Sequence, residues 1–174
     1  MAILSKSTTK SEDKNYWATS HECFMDAQHL YGRNFCHDIC AEKQTSKCGE
    51  FYWNKDVDGI DALKMLWPDN YWCNPPFSEK VSFVKKAIEM SKAGCQGMML
   101  LPYEPLTAWW QSLLSSGCII YEPDGRYNFI ERDGVTMKSG VNFGVAFVVI
   151  TPLMITESPR IRFKRGIHKT KRAD

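Results

Sequence analysis

No stretch of this chain is apolar over the eighteen or so residues that a membrane-spanning helix needs, and the opening "MAILSKSTTKSEDK" lacks the apolar centre of a secretion signal. A cytoplasmic protein is expected. Internal repeats are absent, and no composition shift marks a second domain. The seven cysteines, an odd number without small-scaffold spacing, fit a reducing compartment better than a disulfide framework. Charge of one sign is also scarce, with a net of only +2. Its placement is uneven, however. Residues 160–174, "RIRFKRGIHKTKRAD", hold seven of the 22 Lys and Arg but one of the 20 acids, leaving 15 bases against 19 acids, a net of −4, in the remainder. Such a run is a solvated end or a surface for a polyanion.

What is present is a chain of 174 residues, 44% hydrophobic and 13% aromatic, enough for one domain with its own core. The expected division is a disordered stretch over 1–15, a domain over 16–155 and a basic C-terminal tail over 156–174. "SHECFMDAQHLY" predicts a helix capped by Ser20, with Phe24, Ala27 and Tyr31 on one face. A strand is expected near "NFCHDI" and a short buried one at "DNYWC". Val81, Val84, Ile88 and Ser91 recur at helical spacing up to a stop at Gly94. Then come a strand at "QGMMLL", a helix at "LTAWWQSLL", a strand at "GCIIYE", and two strands, "RYNFIER" and "VNFGVAFVVI", joined by the polar "DGVTMKSG". Alternating strands and helices with a strand-rich finish predict an α/β fold: a mainly parallel, doubly wound sheet with an antiparallel C-terminal strand.

The chemistry concentrates in "DNYWCNPPFSEK". Two prolines lack N–H donors and fix φ, so Asn74, Pro75, Pro76 and Phe77 form a stiff connection leaving a strand. The plain reading is a strand-to-helix junction with prolines in the first turn. In open α/β sheets, however, ligands bind beyond the carboxyl ends of the strands, where this tetrad falls. An exocyclic amino group on a planar base offers two N–H donors, and its lone pair is delocalised into the ring. Asn74 Oδ1 and the Pro75 carbonyl can accept both hydrogens and draw the nitrogen toward a tetrahedral, nucleophilic geometry. Phe77 can stack on the base, worth roughly 1–3 kcal/mol.

The ordered set "WATS", "FCHDICA", "DAL", "NPPFS", "MLLPYEPLTAWW", "DGRYNF" and "NFGVAFVV" resembles the small phage and prophage DNA N6-adenine methyltransferases, from about residue 16 to 151. The resemblance implies a Rossmann-like methyltransferase fold and S-adenosylmethionine as methyl donor. It implies a DNA duplex with a flipped adenine as substrate, in the cytoplasm of a bacterial host, and a monomer or homodimer. Asn74, Pro75, Pro76 and Phe77 take the catalytic positions. Trp17, Ala18 and Thr19 lie against the cofactor, as do Asp38, Ile39 and Cys40 after the first strand, Asp61 and Ala62 in "DAL", and Asn74. Asp56 and Asp58 are neighbouring alternatives to Asp61. Candidates for DNA contact are Arg126, Lys138, Arg160, Arg162, Lys164, Arg165 and Lys169. Two departures stand out: Ser20 replaces the family's usual proline, and "CHDICAEKQTSKCG" has no glycine before Gly49, leaving Ala41 as the small residue.

Cys36, His37, Cys40 and Cys48 are zinc-ligand types, but their spacing fits no strong pattern and strand alternation turns Cys36 from His37. The expectation is no metal and buried, reduced thiols. Two function classes follow: an adenine methyltransferase, or an inactive DNA-binding protein on the same fold. RNA and protein glutamine are alternative substrates within the first class.

Overall fold

The computed structural model describes residues 14–51, 61–138, 140–153 and 155–170. The expectation of disorder therefore falls, over 1–13, outside the described residues, as do Asp56 and Asp58. Asn15 is held in place, since its Oδ1 accepts the Ser78 N–H at 2.9 Å.

Helix α1, His21–Tyr31, begins as its sequence dictates. Ser20 stays extended and its hydroxyl accepts the Cys23 N–H at 3.4 Å, while Gly32 at φ +77° ends the helix in the left-handed region. Helices α2, Lys80–Lys92, and α3, Ala108–Ser115, follow the expected positions. The buried face of α2 is Phe83, Val84, Ala87, Met90 and Ser91; Val81 and Ile88, expected on it, are only half-buried.

Among the described residues the strands are β1 (Ala18–Thr19), β2 (His37–Asp38), β3 (Glu50–Phe51), β4 (Tyr71–Cys73), β5 (Gly97–Pro102), β6 (Cys118–Pro123), β7 (Phe129–Ile130), β8 (Met137–Lys138), β9 (Val145–Ile150) and β10 (Arg160–Phe163). Seven form the main sheet in the order β10, β6, β9, β5, β4, β2, β3. Every pairing is parallel except the two that β9 makes with β5 and β6.

The sheet is covered on both faces, so its central strands read as continuous apolar runs and β5 and β9 are buried throughout. Tyr71, Cys73, Met99 and Leu101 join the core that includes Phe83, Val84, Trp110 and Leu113 of α2 and α3. Trp72, Met98, Leu100 and Phe147 join the core that includes Phe24 and Ala27 of α1. Gly97 lies opposite Tyr71, and a Cβ there would stand 2.5 Å from the Tyr71 ring. Because Tyr71 is fully buried, Gly97→Ala should cost roughly 1–3 kcal/mol in a denaturant melt. An unchanged midpoint would mean that the ring can move.

Three sequence expectations need correction. The antiparallel strand is interior, paired with β5 on one side and β6 on the other, and all six of its residues are buried. The stretch "DGVTMKSG", expected to be a polar loop, is not all loop, since it holds β8. There β7 pairs with β1 and with β8 as a separate three-stranded antiparallel sheet. The fold also continues past residue 155, since Arg160–Phe163 is the edge strand β10 and Phe163 is buried against Phe147.

Candidate active site

The chain leaves β2 outward to β3, whereas β4 leads the opposite way to β5. The connections beyond the carboxyl ends of β2 and β4 therefore diverge and open a crevice. The small sheet carries β1 to the same place. A pocket opens there, with about 870 Å³ of empty space that includes open solvent at its mouth.

Of the nine expected cofactor residues, eight line it: Trp17, Ala18, Thr19, Asp38, Cys40, Asp61, Ala62 and Asn74. Ile39 does not; it is fully buried in the core on the α2 side of the sheet. Pro76 also lines the pocket, whereas Pro75 is buried behind it. Ala41 lines the wall at the glycine-poor turn. Among the described residues from 33 to 49 none has a positive φ, so that turn does not demand glycine.

Asn74 follows β4 and is oriented by one bond. Its Nδ2 donates to the Trp17 carbonyl at 2.9 Å, while Oδ1 has no partner among the described residues. The amide therefore presents an acceptor. Phe77 is half-buried beside the pocket, 5.4 Å from the Phe143 ring, with Lys80 Nζ 4.5 Å from its centroid. Lys80 is held in turn by Glu104 at 3.5 Å, which also accepts from Trp109 Nε1 at 3.0 Å. "PYEPLTAWW" thus supports the tetrad from the next strand.

Asp38 ends β2 almost fully buried, and its Oδ2 accepts the Lys47 N–H at 3.1 Å. Burial pushes its carboxyl up to about 6, only partly countered by the Lys47 and Cys40 N–H groups. A folded pKa above the unfolded one means that the native state keeps its proton where the unfolded chain has lost it. This group's contribution therefore declines as pH rises from about 4 to 6. Asp38→Asn should match the wild type near pH 4 and exceed it above pH 7 by on the order of 2–3 kcal/mol in ligand-free denaturant melts. Equal stability at both pH values would contradict the raised pKa. Asp61 caps a short 3₁₀ turn, Ala62–Lys64, accepting the Leu63 N–H at 3.0 Å.

Sequence reasoning missed Asn15, Tyr16, Glu42, Thr45, Glu79, Phe83 and Arg132, all of which line the pocket. Asn15 and Tyr16 adjoin "WATS" and were within reach of a pattern argument. Arg132 was not, because only tertiary structure brings the β7–β8 turn to β2. The cysteines are all free, and Cys36 is exposed rather than buried. Among the described residues no group of three His, Cys, Asp or Glu could hold a metal ion, and no helix is long and apolar enough to cross a membrane.

The expected DNA-contacting cations are largely paired. Arg162 meets Glu122 at 3.6 Å, Arg165 meets Asp124 at 3.0 Å, Lys169 meets Glu22 at 3.6 Å and Lys138 meets Glu131 at 3.3 Å. Arg126 is exposed and donates to the Val141 carbonyl at 3.4 Å. Among the described residues Arg160 and Lys164 make no ion pair, so they are the most available to a polyanion.

A family model described as DNA N-6-adenine-methyltransferase (Dam) matches residues 6–171. The chain belongs to that family. It is 30% identical over 134 residues to the DNA N-6-adenine-methyltransferase of Haemophilus phage HP1 (strain HP1c1), covering 75% of each protein. It is 33% identical over 157 residues to the DNA N-6-adenine-methyltransferase of Escherichia phage T1, covering 80% of this chain and 64% of that one. The matched span runs through β10, in keeping with a fold that includes it.

Proposed function

We propose that the chain transfers a methyl group from S-adenosylmethionine to N6 of adenine in DNA, with the donor in the pocket beyond β2 and β4 and the adenine at Asn74 and Phe77. The carrying observation is the Asn74 amide, tethered through Nδ2 so that its oxygen is the group offered to an incoming amine. Membership of the family supports the reaction, and the order of strands around the crevice supports a Rossmann-like site.

The lining suits this donor. Trp17 and Phe83 supply apolar walls, and Asp38 and Asp61 supply acceptors for hydroxyl or amino groups. Trp17 Nε1 is a buried donor with no partner among the described residues. The excess of carboxylates in the lining suits a ligand carrying a sulfonium and an ammonium. S-adenosylmethionine, when bound, supplies an electrophilic methyl group on that sulfonium. Asn74 Oδ1 and the Pro75 carbonyl accept the two N6 hydrogens, which localises the nitrogen lone pair toward the donor. The prolines hold both acceptors rigid, so little ordering remains at the moment of transfer. As the nitrogen gains the methyl carbon, the bond from that carbon to sulfur breaks and leaves a neutral thioether, and the N6 proton is lost to solvent. Phe77 stacks on the base.

An adenine inside a duplex is out of reach of a pocket mouth, so the base must be extruded, at a cost of a few kcal/mol. Arg160, Lys164 and Arg126, which make no ion pair among the described residues, are the cations most available to phosphates, and the DNA of a bacterial host or its phage is the expected target. The deciding experiment incubates pure protein with labelled S-adenosylmethionine and unmethylated duplex DNA, RNA or protein. Label at N6 of adenine in DNA is expected. Preferential labelling of RNA or protein, or none in the presence of DNA binding, would overturn the reading.

A further inference from the structure

The pocket lining includes a contact that the transfer chemistry does not use. Arg132 lies in the tight β7–β8 turn, fixed by the Glu131 N–H to the Thr136 carbonyl at 2.8 Å and by Asp133 Oδ1, which accepts the Val135 and Thr136 N–H groups. From there its Nη2 reaches Glu42 Oε1 at 2.8 Å and its Nε reaches Glu42 Oε2 at 3.3 Å. This is a two-point fork between segments 90 residues apart. The guanidinium carbon lies 4.1 Å from the centroid of the Tyr16 ring. The turn presses against the loop that carries Glu42: a Cβ on Gly134, which has φ +76°, would stand 2.5 Å from the Gln44 carbonyl oxygen. Arg132, Glu42 and Tyr16 all line the pocket.

The charges of the lining then set a matching problem. Among the described lining residues there are four carboxylates, Asp38, Glu42, Asp61 and Glu79, and one basic side chain, Arg132. A sulfonium donor of the kind proposed carries two positive charges and one carboxylate, the latter adjoining the ammonium on its α-amino acid end. Arg132 is the lining cation able to meet that carboxylate. Its partner Glu42, with a side chain only 11% exposed against 50% for Arg132, is an acceptor at the same spot for the ammonium. An ion pair set side by side with a zwitterion satisfies both charges head to tail.

We propose that the Arg132–Glu42 pair recognises the α-amino acid end of the methyl donor, guanidinium to carboxylate and Glu42 to ammonium. The proposal rests on the pocket being the donor site. It also makes the β7–β8 turn part of donor retention, which ties the small sheet to cofactor binding.

The test is titration calorimetry of the whole chain with S-adenosylmethionine and with decarboxylated S-adenosylmethionine, which lacks only the carboxylate. Wild-type protein should bind the decarboxylated ligand about 10- to 100-fold more weakly, the range for charge-assisted bonds. Arg132→Ala should weaken S-adenosylmethionine by a similar factor and decarboxylated S-adenosylmethionine by less than about threefold, so the two losses do not add. Arg132→Lys, which keeps the charge and the turn but not the fork, should fall between. Asp61→Ala is the control for the pocket, and it should weaken both ligands. If Asp61→Ala weakens both while Arg132→Ala and Arg132→Lys weaken neither, or weaken both ligands equally, the pair has no part in carboxylate recognition. If wild type binds both ligands yet none of the three variants changes either affinity, the donor lies outside this pocket and both readings fall. Should Arg132→Ala fold poorly in a thermal melt, the wild-type ligand comparison and Arg132→Lys still decide: equal wild-type affinities for the two ligands overturn the proposal.

Discussion

Asn74→Ala should reduce methyl transfer by at least about a hundredfold while changing donor affinity only a few-fold. Removing one preorganised polar partner of a reacting group costs other enzymes roughly 10²–10³ in turnover. Here the loss falls on an acceptor whose direction is fixed by the Trp17 carbonyl. Asn74→Asp is the sharper variant. It keeps an acceptor but places a carboxylate oxygen 2.9 Å from that carbonyl, where an N–H now stands. Two acceptors facing each other repel, so the aspartate variant should also turn over slowly, and Trp17 should shift in the pocket wall. Phe77→Ala should raise the requirement for DNA through weaker stacking, whereas Phe77→Tyr should be tolerated. Steady-state kcat and KM with labelled donor separate these effects. Near-normal kcat in Asn74→Ala would remove the amide from the chemistry.

Deleting residues 160–174 should prevent stable folding rather than merely weaken DNA binding. The deletion strips β10 from β6 and removes Phe163 from its place stacked on Phe147, at 5.5 Å between ring centres. It also strips a buried charge of its partners. Asp26, fully buried on α1, accepts Tyr127 Oη at 2.6 Å, the Gly166 N–H at 2.7 Å and the His168 N–H at 3.1 Å, and pairs with His168 Nδ1 at 2.6 Å. Burial alone would push its carboxyl up, but the bonds from Tyr127, His168 and Gly166 outweigh this and hold it below the usual range. A depressed folded pKa gives stability that is present above the unfolded value near 4 and lost as pH falls through the folded one. After truncation Tyr127 is the one of these four bonds that remains. An under-bonded buried carboxylate costs about 3–5 kcal/mol, a large part of the roughly 5–15 kcal/mol that holds a domain together. Circular dichroism melts should therefore show an abolished or strongly lowered transition. A truncated protein that melts like the wild type would contradict the role assigned to β10 and Asp26. The basic segment must be tested for DNA binding by point changes instead. Arg160→Ala with Lys164→Ala should keep the fold and lower the salt slope by roughly 0.7–0.9 for each phosphate that is no longer neutralised.

Much of the site was legible because its signals are local. Ser20 and Gly32 mark the ends of α1 by hydrogen-bond and φ requirements that neighbouring residues alone impose. The Asn-Pro-Pro-Phe tetrad fixes its own backbone, and its place after a short apolar run identified it as the end of a strand. Eight of the nine proposed cofactor residues line one pocket because each lies at the end or start of an element whose position follows from such signals. Ile39 fails for a local reason as well: it lies one residue beyond β2, between two pocket residues, and packs into the core instead.

What the amino-acid sequence determined by itself is therefore the three helices and the strands β2, β4, β5, β6, β7 and β9, the stiff Asn-Pro-Pro-Phe connection, the family and the reaction that membership supports. What only the tertiary structure decided is pairing at long range. A run such as "VAFVVI" says that a strand is buried on both faces without saying between which neighbours, so the interior place of β9 emerged only with β5 and β6 on either side. Charge behaves likewise. The cluster after Arg160 reads as a free cationic tail until Phe163 enters the core and Glu122, Asp124 and Glu22 come within reach of three of its bases. Arg132 and Glu42 meet for the same physical reason: two opposite charges 90 residues apart attract usefully only after the fold has paid the entropy of bringing their segments together.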